Sequence, residues 1–203
     1  MSSEKCYEIR ESPEKPLEWS AYAEIVRREW SALLNKEPAP SEAEVQAFLE
    51  LHPSLIPGSF GIIGSESGHC PAWCGVIRQA PLPSYNHRVP DFMWLSENSE
   101  EEQPVLIEIE APSRRWFTAS GDATATLNHA LGQIAEWKAW FDVPHTVEAF
   151  KAFYGMDDWR GRRFHPAYVL IYGRRAELED KPEFNAKRAQ LFPDRVVGMG
   201  LVP

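Results

Sequence analysis

The chain has 203 residues, of which 43% are hydrophobic, and a formal net charge of −9. This length supports one substantial hydrophobic core. The sequence contains no apolar run of 18 residues and only three cysteines, which argues against a membrane protein and against a disulfide framework. We therefore expect a cytoplasmic protein without a membrane partner.

The negative charge is unevenly distributed along the chain. Residues 1–110 contain 8 basic and 19 acidic residues, a net of −11, whereas residues 111–203 contain 13 basic and 11 acidic residues, a net of +2. A negative net charge by itself argues against nucleic-acid binding, because neutralisation of phosphates by Lys and Arg dominates such affinity. The arginine pairs of the second half are compatible with a basic rim around an acidic centre, and equally with an ordinary solvated surface.

The N-terminal part of the chain has helical patterns. Apolar residues recur at helical spacing over residues 17–34, and prolines end that helix. Ser41 can cap a second helix together with Glu44, three residues later, in a capping box. We predict that residues 1–39 form an extension with one helix and that residues 40–203 form the main domain.

Strand and helix patterns follow one another in the remainder of the chain. This order predicts an α/β fold in which a mixed central sheet is flanked by helices. The strand-like runs are residues 60–64, 75–79, 88–95, 105–110, 166–173 and 195–199, and the helix-like runs are residues 120–142, 147–154 and 184–191.

Three acids lie inside two of the strand-like runs. Asp91 follows Pro90, and Glu108 and Glu110 end the next run. Because side chains alternate along a strand, both glutamates project from the same face. Their repulsion and desolvation are tolerable only if a cation, a proton or solvent compensates them, and a divalent metal held by oxygen ligands does so. This pattern favours metal-dependent hydrolysis.

Four segments together resemble the nuclease domain of the Shedu anti-phage family, within the PD-(D/E)xK nuclease superfamily. They are residues 42–53, 88–92, 106–112 and 133–137. The resemblance implies a restriction-endonuclease-like core, a homo-oligomer, and cleavage of DNA in bacterial defence with Mg²⁺ or Mn²⁺ as the cofactor.

The resemblance also implies roles for individual residues. Asp91 and Glu108 would be metal ligands, with Glu44 as the acid supplied by the first core helix. Gln133 would match the helix glutamine that borders such sites. The catalytic set would then be Asp91, Glu108, Glu110 and Gln133.

Glu110 departs from the superfamily pattern, because it occupies the place of a lysine. A carboxylate there can bind a second cation or act as a base on metal-bound water, but it cannot add positive charge to the transition state. The metal or a nearby arginine would have to supply that charge and contact the DNA. The candidates are Arg88, Arg114 and Arg115.

Simpler explanations and rival functions remain open from the sequence. Glu44 is equally well explained as the capping partner of Ser41. A simpler but less favoured explanation of Glu108 and Glu110 is that they lie on the solvent face of an edge strand. One rival function is a catalytically impaired module of the same fold that binds DNA ends or self-assembles. A second is a metal-free hydrolase in which two carboxylates act on a sugar or an ester.

Overall fold

The computed structural model describes residues 17–57, 75–85, 89–156, 161–191 and 195–199. The predicted strand at residues 60–64 lies outside these ranges. The helices are α1 (Trp19–Leu34), α2 (Glu42–Leu51), α3 (Ala125–Phe141), α4 (Pro144–Tyr154), α5 (Ala176–Glu179) and α6 (Pro182–Gln190), with a 3-10 turn at Pro53–Leu55. The strands are β1 (Ile77–Arg78), β2 (Phe92–Glu97), β3 (Glu101–Ile109), β4 (Arg163–Phe164), β5 (Ala167–Arg174) and β6 (Arg195–Met199).

The strands form one mixed sheet in the order β1-β2-β3-β5-β6, with the short β4 also paired to β3. The pairs β1/β2 and β2/β3 are antiparallel, whereas β3/β5 and β5/β6 are parallel. β3 and β5 are almost entirely buried, as expected of central strands covered on both faces. The predicted α/β fold with a mixed sheet flanked by helices is confirmed.

Apolar side chains pack on both faces of the sheet, because successive residues of β3 point to opposite sides. Leu106 packs with α3 and α4, and Ile107 and Ile109 pack with α1 and α2. Alternation therefore places Glu108 on the face covered by α3. The face of α3 and α4 also contains Leu127, Ile134, Trp137, Phe150 and Tyr172, and the opposite face contains Trp30, Leu34, Val45, Leu49 and Val169.

The first helix is part of this core. Trp30 and Leu34 are buried in the same cluster as residues of α2, β3 and β5. The guanidinium of Arg174, at the end of β5, donates to the backbone oxygen of Leu34. The division between residues 1–39 and the main domain stays a prediction. The buried side of α1 packs against the main domain.

Two helix starts differ from the sequence-based expectation. The long helix begins at Ala125 rather than near residue 120, because Thr124 caps it by accepting a hydrogen bond from the backbone N–H of Leu127 at 3.3 Å. The next helix begins earlier than expected, with Pro144 in its first turn, where the missing N–H of proline has no cost. Within the described ranges, no helix has both the length and the apolar character needed to cross a bilayer.

Candidate functional site

The register of the β2/β3 hairpin brings Asp91 and Glu108 to neighbouring positions. Phe92 pairs with Ile107 in this antiparallel ladder, so one further step sets Asp91 opposite Glu108. The carboxylate of Asp91 accepts a hydrogen bond from the backbone N–H of Ile109 at 2.8 Å. This bond ties the residue before β2 to the last residue of β3.

Burial and neighbouring negative charges raise the pKa of both acids. For Glu108, burial is the largest cause, followed by repulsion from Asp91, Glu42 and Glu110, and its pKa rises to about 9. For Asp91, burial again dominates, and repulsion from Glu42 and Glu110 adds to it, so that its pKa rises to about 6. The four carboxylates therefore form one electrostatically coupled group, which we call the acidic cluster.

Glu42, at the start of α2, is the member of this cluster that the sequence analysis missed. Burial and the charge of Glu110 raise the pKa of Glu42, and the positive charge of Arg114 lowers it. Glu42 in turn raises the pKa of both Asp91 and Glu108. The first core helix thus supplies an acid to the site.

Glu44, for which the resemblance implies a metal-ligand role, takes part in the capping box of α2. The metal-ligand role stays a prediction. The carboxylate of Glu44 accepts hydrogen bonds from the backbone N–H and the hydroxyl of Ser41, each at 2.9 Å, and it forms an ion pair with Lys36. The bonds from Lys36 and Ser41 lower the pKa of Glu44 to about 2. Side chains two positions apart on a helix point in nearly opposite directions, so Glu44 faces Ser41 while Glu42 faces the acidic cluster. The capping-box pattern of Ser41 and Glu44 in the sequence indicated this contact with the start of α2.

Glu110 follows directly after the last residue of β3 and contacts an arginine. Its carboxylate Oε2 is 3.3 Å from Nε of Arg114, and its backbone N–H donates to the oxygen of Ile171 at 2.9 Å. Arg115, by contrast, lies 3.9 Å from Glu177 and has a side chain that is 72% exposed. Arg88 lies outside the described residues. Of the predicted arginines that are described, the structure places Arg114 beside the acids.

Gln133 projects from α3 toward Glu108, and its side-chain hydrogen bond lowers the pKa of that carboxyl group. The other oxygen of Glu108, Oε2, is buried and has no hydrogen-bond partner among the described residues. Trp137, one turn after Gln133, is fully buried in the core and is a packing residue. One face of α3 therefore combines core packing with a polar contact to the site.

The donor chemistry of the cluster fits a hard divalent cation. Four carboxylates repel one another, and the unpartnered oxygen of Glu108 is a buried acceptor that a cation would satisfy. In the part of the chain that the structure describes, no three His, Cys, Asp or Glu side chains are grouped closely enough to enclose an ion. Mg²⁺ commonly uses one or two carboxylates together with water and substrate phosphate, so the neighbouring pair of Asp91 and Glu108 is a sufficient protein contribution.

Comparison with protein families finds a match to most of the chain. The family model described as "Shedu protein SduA, C-terminal" matches residues 39–196, which is more than half of the chain. The matched range includes every member of the acidic cluster together with Arg114 and Gln133. A search of curated proteins finds no match.

Proposed function

Since the chain belongs to the Shedu family, which indicates a role in anti-phage defence, we propose that its domain is a metal-dependent DNA endonuclease or nickase. The observation that carries this proposal is the buried pair of Asp91 and Glu108. Both carboxyl groups have a raised pKa, and one oxygen of Glu108 has no partner in the part of the chain that the structure describes. Such a pair is costly for the folded protein unless it binds a positive ligand.

The chain's own residues divide the work as follows. Asp91 and Glu108 would hold Mg²⁺ or Mn²⁺, and Glu42 adds negative potential that attracts the ion. When bound, the ion supplies an activated water and neutralises charge on the phosphate. The bond from Gln133 to one oxygen of Glu108 orients that carboxylate, which keeps its second oxygen available as a ligand. We propose no metal role for Glu44.

DNA contact is proposed for the arginines that follow β3. The side chains of Arg114 and Arg115 are 46% and 72% exposed, so both can reach phosphate oxygens. Arg88 is proposed for the same role on its sequence position alone. Self-association, which membership of the family suggests, is a separate proposal that sedimentation of the purified protein tests.

The test is nicking of supercoiled plasmid in Mg²⁺ and in Mn²⁺. Asp91→Ala and Glu108→Ala should each lower the rate by at least about 100-fold, because each removes a ligand. Glu42→Ala should lower the rate less, and Glu44→Ala should retain it, because Glu44 caps α2. Thermal melting of each variant shows whether it is folded.

Two results would count against this proposal. Unchanged cleavage in folded Asp91→Ala and Glu108→Ala would place the chemistry elsewhere. Binding of DNA by the wild type without cleavage in either metal would favour the impaired module, for which Glu110 in the place of the lysine is the supporting observation.

A further inference from the structure

We propose that Glu110 and Arg114 act as a unit. In this unit Glu110 holds the guanidinium of Arg114 beside the acidic cluster. Arg114 supplies the positive charge that comes, in the superfamily pattern, from a lysine in the place of Glu110. Glu110 is then a positioning residue, and Arg114 is the residue that touches the scissile phosphate. This inference rests on the proposed function and deepens it.

The contact between the two side chains orients the guanidinium. Nε of Arg114 faces Oε2 of Glu110 at 3.3 Å. The Arg114 side chain is 46% exposed, whereas that of Glu110 is 13% exposed. The largely buried acid therefore contacts the guanidinium at Nε, while the Arg114 side chain is exposed enough to present its guanidinium to a phosphate, which a planar guanidinium can bind with two donors.

The backbone on both sides of this pair is anchored. The N–H of Glu110 donates to the oxygen of Ile171 in β5 at 2.9 Å, and the N–H of Arg114 closes a turn onto the oxygen of Ala111 at 3.0 Å. The backbone oxygen of Arg114 also packs against Gly173, where an added Cβ would lie 2.5 Å from it. The turn is thus held against the sheet, which limits the positions that Arg114 can reach.

The charge of Arg114 acts on the acidic cluster. Arg114 lowers the pKa of Glu42, and Glu42 and Glu110 both repel the charges on Asp91 and Glu108. Arg114 therefore lies near enough to the acidic cluster for its charge to act on one member, Glu42, while it contacts another, Glu110. A phosphate held between the acidic pair and this guanidinium would contact positive charge where negative charge grows during hydrolysis. Arg114 forms no covalent bond and transfers no proton in this role.

The first experiment compares plasmid-nicking rates of the full chain. Arg114→Ala should lower kcat by about 100- to 1,000-fold, the usual loss for one transition-state donor. Glu110→Gln should lower kcat as well, and adding it to Arg114→Ala should cause little further loss, because residues that act as a unit are non-additive. Arg175→Ala is the matched control, since Arg175 is also exposed, at 69%, and pairs instead with Glu179.

The sharpest variant restores the lysine. Glu110→Lys combined with Arg114→Ala should recover at least about tenfold of the rate lost in Arg114→Ala, because the new ammonium group supplies the missing charge. A double variant that melts like the wild type but cuts no faster than Arg114→Ala would overturn the proposal. So would a single Arg114→Ala variant that keeps the wild-type kcat.

A second experiment needs neither metal nor cleavage. Binding of a DNA duplex is measured in EDTA over a series of salt concentrations. Loss of one phosphate contact in Arg114→Ala should reduce the slope of log affinity against log salt by about 1, and Arg175→Ala should leave it unchanged. If Arg114→Ala reduces the slope but the wild type does not cut plasmid in Mg²⁺ or Mn²⁺, the nuclease proposal would be refuted and the phosphate contact supported. An unchanged slope together with unchanged cleavage would refute this inference alone, and a wild type that binds no DNA would refute both.

Discussion

Replacing Glu108 by glutamine should stabilise the metal-free protein at neutral pH. Burial and the neighbouring acids raise the pKa of Glu108 from 4.5 to about 9. A raised pKa means that the folded protein holds a proton that the unfolded chain has lost, so the stability associated with Glu108 is complete below pH 4.5 and is lost as the pH rises toward 9. Glutamine cannot ionise and avoids this loss.

The size of this stabilisation follows from the pH interval over which the folded and unfolded states differ in protonation of Glu108. Between pH 4.5 and pH 7 the folded protein keeps the proton that the unfolded chain loses, and at roughly 1.4 kcal/mol per pH unit the loss of stability at pH 7 is about 3.5 kcal/mol. For a domain of this size, this corresponds to a rise in Tm of about 7 to 14 °C in Glu108→Gln.

Urea denaturation in EDTA from pH 5 to pH 9 measures this difference. The wild type should lose stability steadily with rising pH, and Glu108→Gln should lose less. Glu44→Gln is the control, because the pKa of Glu44 is lowered to about 2 and its stability contribution is lost only as the pH falls from 4.5 toward 2. Parallel curves for the wild type and Glu108→Gln from pH 5 to pH 9 would refute the reasoning. Added Mg²⁺ should narrow the gap, since a ligand that binds the folded state of the wild type stabilises it.

Three further substitutions test backbone strain and packing. Gly173→Ala should destabilise the protein by more than about 2 kcal/mol and slow plasmid nicking, because Gly173 has a φ of 54° and a Cβ there would press on the oxygen of Arg114. Gly155→Ala should cost only about 1 kcal/mol in urea denaturation, because Gly155 has a φ of 68° but no described residue lies within 4 Å of an added Cβ. An equal cost at both sites would argue against the close approach at Gly173. Trp137→Ala should cost about 3 to 5 kcal/mol by the same measurement, and a loss below about 1 kcal/mol would contradict its place in the core.

Much of the fold could be predicted from local patterns. The buried apolar run that became β5 and the helical spacing of α1 and α2 each appear within a few residues of sequence, because periodicity records which side of an element is buried. The hairpin that joins β2 to β3 was also predictable, since its two strands are separated by a short polar loop. That hairpin suffices to bring Asp91 and Glu108 together.

Sequence periodicity and motifs by themselves established three features: the mixed α/β character, the capping box of Ser41, and an acidic pair on one hairpin. Each of these depends on residues that are close together in the chain. Only the tertiary structure decided that Glu42 joins the cluster and that Arg114 rather than Arg115 borders it. Both outcomes depend on how α2 and the turn after β3 pack against the sheet, and contacts between distant segments are set by shape and burial that no local pattern records.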